Sequence, residues 1–356
     1  MMQRSAPSAY IDRLETRLAA GAALLPAGFK DRQRRYILSR QLPDGGFNGL
    51  IGESDSYYTA FGVRCAALLD IIDSSFWTKV AGWLTDRIGA TADLIDRFSL
   101  LVVDRFVARR AIPEWTAAHR SALHLSARSV IDADNPSPDR PGEIDTMAGY
   151  YSAFISLLSR GMLGDPYPRL PELGNDVLDR IRAADRLNRS GVAGLARRLS
   201  KLPVARRWIK NAADNAGVSQ IAAAVAILSA SGGIPADVAD PLLKYIASLQ
   251  RPDGGVSAHP DAPMPDGLSS FTALNAVMDI RSESPAGNGN FGIKLGGLAR
   301  FITELESDGG GFRGVINSAD PDVEYTFYGI ASFGLDRKST SLKSSHVKLS
   351  RMPSSA

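Results

Sequence analysis

Cysteine is nearly absent: Cys65 is the single one in 356 residues. That excludes an internal disulfide framework and a cysteine-rich zinc site, so stability has to come from packing. Long apolar runs are missing too, since stretches such as residues 221–228 fall far short of the ~18 residues a membrane-spanning helix needs. The opening segment, MMQRSAPSAYIDRLETRLAA, interleaves charges with apolar residues and holds no unbroken apolar core of the secretory kind, so the expected compartment is the cytoplasm. Neither sign of charge prevails. Lys and Arg total 41 against 38 Asp and Glu, and a net charge of +3 gives no argument for a nucleic-acid partner. What remains is a globular composition, 44% apolar and 22% charged, in a chain long enough for one large domain or two ordinary ones.

What is present is a repeat, the first feature to look for in a chain of this kind. Residues 41–47, Gln-Leu-Pro-Asp-Gly-Gly-Phe, precede Asp55, Thr59 and the apolar run AFGVRCAALLDI. Residues 250–255, Gln-Arg-Pro-Asp-Gly-Gly, precede Asp266, Ser270 and FTALNAVMDI; residues 308–312, Asp-Gly-Gly-Gly-Phe, precede Asp322, Thr326 and FYGIASFGL. The turn Asp and the helix-opening Asp lie 11, 13 and 14 residues apart, so the loop between them is of one kind in all three copies. A fourth copy without its glycines fits at Asp145, where Tyr150, Tyr151 and Phe154 echo Tyr57, Tyr58 and Phe61. The remaining intervals leave room for degenerate copies near 93–108 and 215–230, which makes about six helical hairpins.

Apolar residues such as Leu68, Leu69 and Ile72 recur at helical spacing, and no segment sustains strand alternation, so the fold class expected is all-α. Hairpins that bury a face only against their neighbours must stack into an open solenoid or close into a ring. Strong copies near both ends favour a closed double ring, an α/α toroid. Asp-Gly-Gly supplies the left-handed backbone of a tight turn, and an Asp at a helix start caps orphan N–H groups. On this plan residues 1–34 are a helical lead-in and 35–336 the toroid. Residues 180–210, with ten Arg or Lys against one Asp, read as a basic amphipathic insert suited to an anionic membrane or an acidic partner, or simply as a solvated face. Residues 337–356, basic and Ser-rich, read as a disordered tail.

At these repeats the sequence resembles the protein prenyltransferase β subunits and, more distantly, the β domain of class II terpene and triterpene cyclases. The matching residues are the turn at 41–47 and the helix start at 322–330. The resemblance implies an apolar central funnel inside two rings of helices. It also implies a zinc site made of an Asp, a Cys two residues later and a His in the last repeat. Here those positions are Asp266, Leu268 and Tyr325, which disfavours zinc because a Leu has no ligand atom and a neutral phenol is a poor donor. The family's diphosphate-binding Arg and Lys positions are Pro260 and Pro263. His259 with Asp261 and Asp266 on the same loop is a replacement metal cluster to consider, against which Pro260, Pro263 and Pro265 deny the loop the rigid ligand spacing of a metal site.

Class II cyclases instead protonate an alkene with an Asp at this helix start, and of the copies here only the one at Asp322 carries a further acid, Glu324. A Glu held in an aromatic-lined cavity stays protonated and can serve as a general acid; a Glu in a first helical turn also simply favours the helix dipole. The catalytic candidates are therefore Asp322, Glu324 and Asp266. The substrate-binding candidates are the aromatics Tyr57, Tyr58, Tyr150, Tyr151, Tyr325, Tyr328 and Phe271, whose faces suit isoprenoid chains and carbocations as well as plain core packing. Arg64, Arg313 or the 180–210 segment are the candidate phosphate partners, with magnesium possible beside a diphosphate.

The functional expectation is an enzyme of the prenyltransferase and terpene-cyclase kind that takes an isoprenoid diphosphate or polyene into the funnel. The alternatives are a zinc-dependent protein prenyltransferase β subunit that needs an α subunit, and a non-catalytic toroid used as a lipid-binding or interaction module.

Overall fold

The computed structural model describes the backbone of residues 7–90, 92–133, 147–189, 217–284 and 292–341. Among these residues there are helices, turns and isolated β-bridges, and no strand.

The repeat sets the local structure in the same way three times. At Gly45 and Gly254 the backbone takes φ of 95° and 100°, a region open to glycine, and each turn packs so tightly on the backbone of a neighbouring helix that a Cβ would lie 2.2 Å or less from a carbonyl oxygen. The residue after the turn then bridges back to the loop before the next helix: Asp55 donates its N–H to the Phe47 carbonyl (3.0 Å), and Asp322 to that of Phe312 (3.2 Å). The Ser or Thr four residues after each helix-opening Asp closes the module. Thr59, Ser270 and Thr326 accept the backbone N–H of Phe47, Val256 and Phe312 at 2.9, 3.0 and 3.0 Å. Each of these N–H groups is buried, so an alternative with no acceptor would cost about 1–3 kcal/mol.

Thirteen helices follow among the described residues. The lead-in is α1 (Pro7–Ala23). Six hairpins come next, each an outer helix and then an inner one: α2 (Ala27–Arg40) with α3 (Ser56–Leu68), α4 (Ser74–Thr85) with α5 (Leu94–Ala108), and α6 (Ala117–Ala133) with α7 (Met147–Leu163). The rest are α8 (Leu170–Arg189) with α9 (Val218–Ser231), α10 (Ala236–Ser248) with α11 (Gly267–Glu283), and α12 (Leu295–Leu305) with α13 (Val323–Ser341). The degenerate copies are α5 and α9, and Asp93 caps α5 with a reciprocal capping box through Asp96.

Inner helices pack in the order α3, α5, α7, α9, α11, α13, and α13 packs on α3, so the ring closes. Closure is completed on the outside, where Gln33 of α2 accepts the Gly311 N–H (2.8 Å) and donates to Glu306 (2.8 Å) across more than 270 residues of chain. The toroid expected from the repeat is the architecture observed.

The lead-in has a larger role than its place in the repeat plan indicates. α1 packs on α13 and α7, which stand opposite one another in the ring, and also on α9 and α3. It therefore lies inside the lumen. Its contacts are with the last turns of the inner helices: Gly21 meets Gly334 backbone to backbone, Tyr10 donates to Asp279 (3.0 Å), and Arg105 of α5 reaches Glu15 (2.8 Å). The funnel implied by the resemblance is thus filled at that end by the chain's own helix. Two other boundaries differ from expectation. Residues 180–189 continue α8, an outer helix of the ring, because Val177 and its neighbours keep their apolar face on the core; the rest of the basic segment, from 190, lies outside the described residues. Helix α13 runs to Ser341, past the start of the expected tail, whose remaining residues lie outside the description.

Candidate active site

The starts of the inner helices share one end of the ring, opposite α1. Glu324, in the first turn of α13, is 8% exposed. One carboxylate oxygen, Oε1, accepts hydrogen bonds from the hydroxyls of Tyr57 on α3 (2.6 Å) and Tyr328 one turn further along α13 (3.1 Å). Among the described residues Oε2 has no hydrogen-bond partner and Glu324 has no cationic one. Burial raises its pKa above the ordinary Glu value, the Tyr57 hydrogen bond opposes that, and the nearby carboxylates of Asp322 and Asp266 add to it. The result is a carboxyl with one oxygen held by two phenols and, among the described residues, no hydrogen bond to the other.

Asp322 and Asp266 lie in the same group but are engaged as helix caps. Asp322 Oδ1 accepts the Tyr325 N–H (2.8 Å), and Asp266 accepts the Ser269 N–H and hydroxyl (2.7 Å each). Desolvation raises the pKa of both, and the backbone hydrogen bonds of the cap oppose it. Asp55 caps α3 in the same way through the Tyr58 N–H (2.7 Å).

Tyr57, Phe61, Phe271, Phe327 and Tyr328 form one contiguous patch across α3, α11 and α13, with ring centroids 5.0–5.7 Å apart and Phe271 stacked on Tyr328 at 5.3 Å. Tyr58 and Tyr325 join its edge, 5.4 Å from Tyr57 and 6.0 Å from Tyr328, and also lie over glycines of the loops before their own helices: a Cβ on Gly49 would meet the Tyr58 ring at 2.8 Å, and one on Gly314 the Tyr325 ring at 2.7 Å. Tyr151 of α7 is 42% exposed, and the side chains of Tyr150 and Asp145 lie outside the described residues.

The zinc triad implied by the resemblance does not fit these residues. Asp266 spends its carboxylate on Ser269, and Leu268 offers no donor atom. The phenol of Tyr325 is pushed up to about 12, chiefly by burial, so at neutral pH it is not a phenolate. His259, Asp261 and Asp266 do not converge either; His259 accepts the Asp261 N–H (3.2 Å), and no group of three or more His, Cys, Asp or Glu among the described residues is placed to hold a metal ion. Arg313, offered as a phosphate partner, is turned to the carbonyls of Glu304 (2.7 Å) and Ile316 (3.2 Å).

Sequence reasoning missed the residues that close the far end of the lumen. Arg17 pairs with buried Asp279, Arg13 with Glu283 (3.3 Å), and Arg105 and Arg109 with Glu15 (2.8 Å each). The signal available was the charged set Asp279, Arg281 and Glu283 in the inner helix segment NAVMDIRSE, which a simple core face would not carry.

A family model described as the prenyltransferase alpha-alpha toroid domain matches residues 18–93 and 142–349. No curated protein matches the chain. No helix among the described residues is long and apolar enough to cross a membrane.

Proposed function

Because the chain belongs to the prenyltransferase alpha-alpha toroid family, we propose that its ring binds an isoprenoid diphosphate or polyene against the aromatic patch and that Glu324 is the proton donor of the reaction. The observation that carries this reading is the state of Glu324: nearly buried, its pKa raised by desolvation and by two neighbouring acids, and, among the described residues, without a cationic partner and with one oxygen free of hydrogen bonds. A carboxyl in such surroundings keeps its proton closer to neutral pH than a solvated one, which general-acid catalysis requires. The aromatic patch supplies what an isoprenoid and any cation formed from it need, namely dispersion contact and negative ring faces.

Tyr57 and Tyr328 fix the carboxyl through Oε1 and direct Oε2 to the substrate. Helix α1 limits how far a chain can enter. It occupies the last turns of the inner helices, which leaves at most their first two or three turns, about 11–16 Å at a pitch of about 5.4 Å. Zinc has no part in this reading, since Leu268 and Tyr325 stand where its ligands would be. Asp266 and Asp322 act by capping their helices and by raising the pKa of Glu324.

The test is product analysis with prenyl diphosphates and linear polyenes, comparing the wild type with Glu324→Gln. The expected result is turnover by the wild type and a loss of at least about a hundredfold in the variant, on the scale of general acid–base catalysis, with the melting temperature nearly unchanged. Unchanged activity per folded molecule in Glu324→Gln would remove the acid and return this residue to a helix-dipole role.

A further inference from the structure

Arg64 of α3 is an arginine without an acceptor. Its guanidinium stands over the rings of Phe61 (5.3 Å), Phe98 (5.5 Å) and Phe327 (5.5 Å). Protein surrounds it, and burial lowers its pKa below the usual arginine range, yet the side chain keeps partial accessibility, the combination expected on the wall of an internal space. No carboxylate, carbonyl or hydroxyl among the described residues accepts a hydrogen bond from it. Arg17, Arg97 and Arg160 each have an acceptor, in Asp279, the Ile88 and Ala90 carbonyls and Asp132, whereas Arg110 shares with Arg64 the placement on a ring face, that of Trp77 (3.7 Å). The nearest acid toward α1, Glu15, is already held by Arg105 and Arg109. A guanidinium carries five N–H donors in a planar fork, and three ring faces satisfy none of them.

A second free group faces the same charges. The Tyr151 hydroxyl of α7 has no hydrogen-bond partner among the described residues, and Arg64 and Glu324 both act on it electrostatically. Arg64 follows Tyr57 by seven residues, about 10 Å along the helix, and its side chain leans back toward the helix start, to the level of Phe61. Phe327, which it also touches, follows Glu324 by three residues.

We propose that Arg64 and Tyr151 form a subsite for an oxyanion, a phosphate or a carboxylate, carried on an apolar chain and seated inside the ring about one helical turn below Glu324. The fork of Arg64 takes two oxygens side by side and Tyr151 donates to a third position. With α1 and Glu15 beneath, the ligand enters anion first and its carbon chain runs up past Glu324 over the aromatic patch toward the mouth. The subsite rests on the isoprenoid reading only for the identity of that chain.

The experiment is a binding series by calorimetry on the intact protein with farnesyl diphosphate, farnesol, palmitate and inorganic pyrophosphate, for the wild type, Arg64→Met, Arg64→Lys and Tyr151→Phe. The expected result is that at least one of the anions binds, that an anionic chain binds about tenfold or more tighter than farnesol, that Arg64→Met erases this preference while farnesol is unaffected, and that Arg64→Lys retains part of it. Tyr151→Phe, which loses only a partly exposed hydroxyl, should cut the anion preference several-fold with the melting temperature unchanged, and it decides the matter if Arg64→Met fails to fold. Farnesyl diphosphate or pyrophosphate bound in preference to palmitate identifies phosphate, and the reverse order a carboxylate. Equal affinity for farnesol and the anions, a preference that is undiminished in folded Arg64→Met or in Tyr151→Phe, or no binding of any anion overturns the subsite. Anion binding without any affinity for farnesol or farnesyl diphosphate keeps the subsite and overturns the isoprenoid reading.

Discussion

The two ends of the ring treat buried charge in opposite ways. At the end closed by α1, each carboxylate meets a guanidinium: Asp279 with Arg17, Glu283 with Arg13, Glu15 with Arg105 and Arg109. Burial raises the pKa of Glu283 there as well, but Arg13 and a hydrogen bond from Ser229 oppose it. At the other end Glu324 meets phenols and further acids, and Arg64 meets, among the described residues, ring faces and no acceptor. Compensated charge locks a structure and has little left to offer a ligand. Uncompensated charge costs stability and is retained where a ligand or a proton completes it. The same fold thus shows what its polar residues look like when they hold the ring together and when they do not.

The sharpest way to test this contrast is to unpair a charge at the closed end. Asp279→Ala removes the partner of Arg17 and the acceptor of Tyr10 in a site 1% exposed, and should cost about 3–5 kcal/mol in urea unfolding. A loss below about 1 kcal/mol would mean that α1 is only loosely seated. Next in size is the repeat module. Thr326→Val leaves the buried Phe312 N–H without its acceptor and should cost about 1–3 kcal/mol by the same measurement. Asp266→Ala, which loses a helix cap at the open end, should cost about 1 kcal/mol, and Asp266→Asn, which keeps the cap, almost nothing; equal losses would show that the charge itself matters there.

The smallest effect carries the most information about Glu324. Its pKa is raised on folding, so the folded state binds more protons than the unfolded one. Its contribution to stability is therefore complete below the unfolded value, about 4.3, and is lost as pH rises through the raised folded value. Glu324→Gln abolishes that dependence. Unfolding measured at several pH values from about 4 to about 8 should show the variant gaining on the wild type as pH rises, by roughly 1 kcal/mol. A variant that instead loses ground with rising pH would reverse the sign of the shift.

Much of this was legible in the residues, for reasons that are local. Asp-Gly-Gly fixes a left-handed turn, an Asp four residues before a Ser or Thr fixes a helix start and the bond back to the turn, and such copies near both termini favour a ring over an open solenoid. The presence of an acid at Glu324 amid aromatics was legible in the same way. Its partners were not, because Tyr57 lies 267 residues away and only the closure of α13 onto α3 brings the two together. Nor did the sequence distinguish Tyr58 and Tyr325, which cover loop glycines, from Tyr57 and Tyr328, which hold the acid; neighbours on one helix differ only in which way the ring of helices turns them.

The sequence by itself determined the helices, their capped starts and the closed ring, since these depend on backbone preferences and on contacts between adjacent repeats. The tertiary structure alone decided that α1 enters the lumen, that Asp279 is paired and that Arg64 is not. Those outcomes depend on which side chains meet across a closed ring, and no spacing along the chain encodes a distance through its centre.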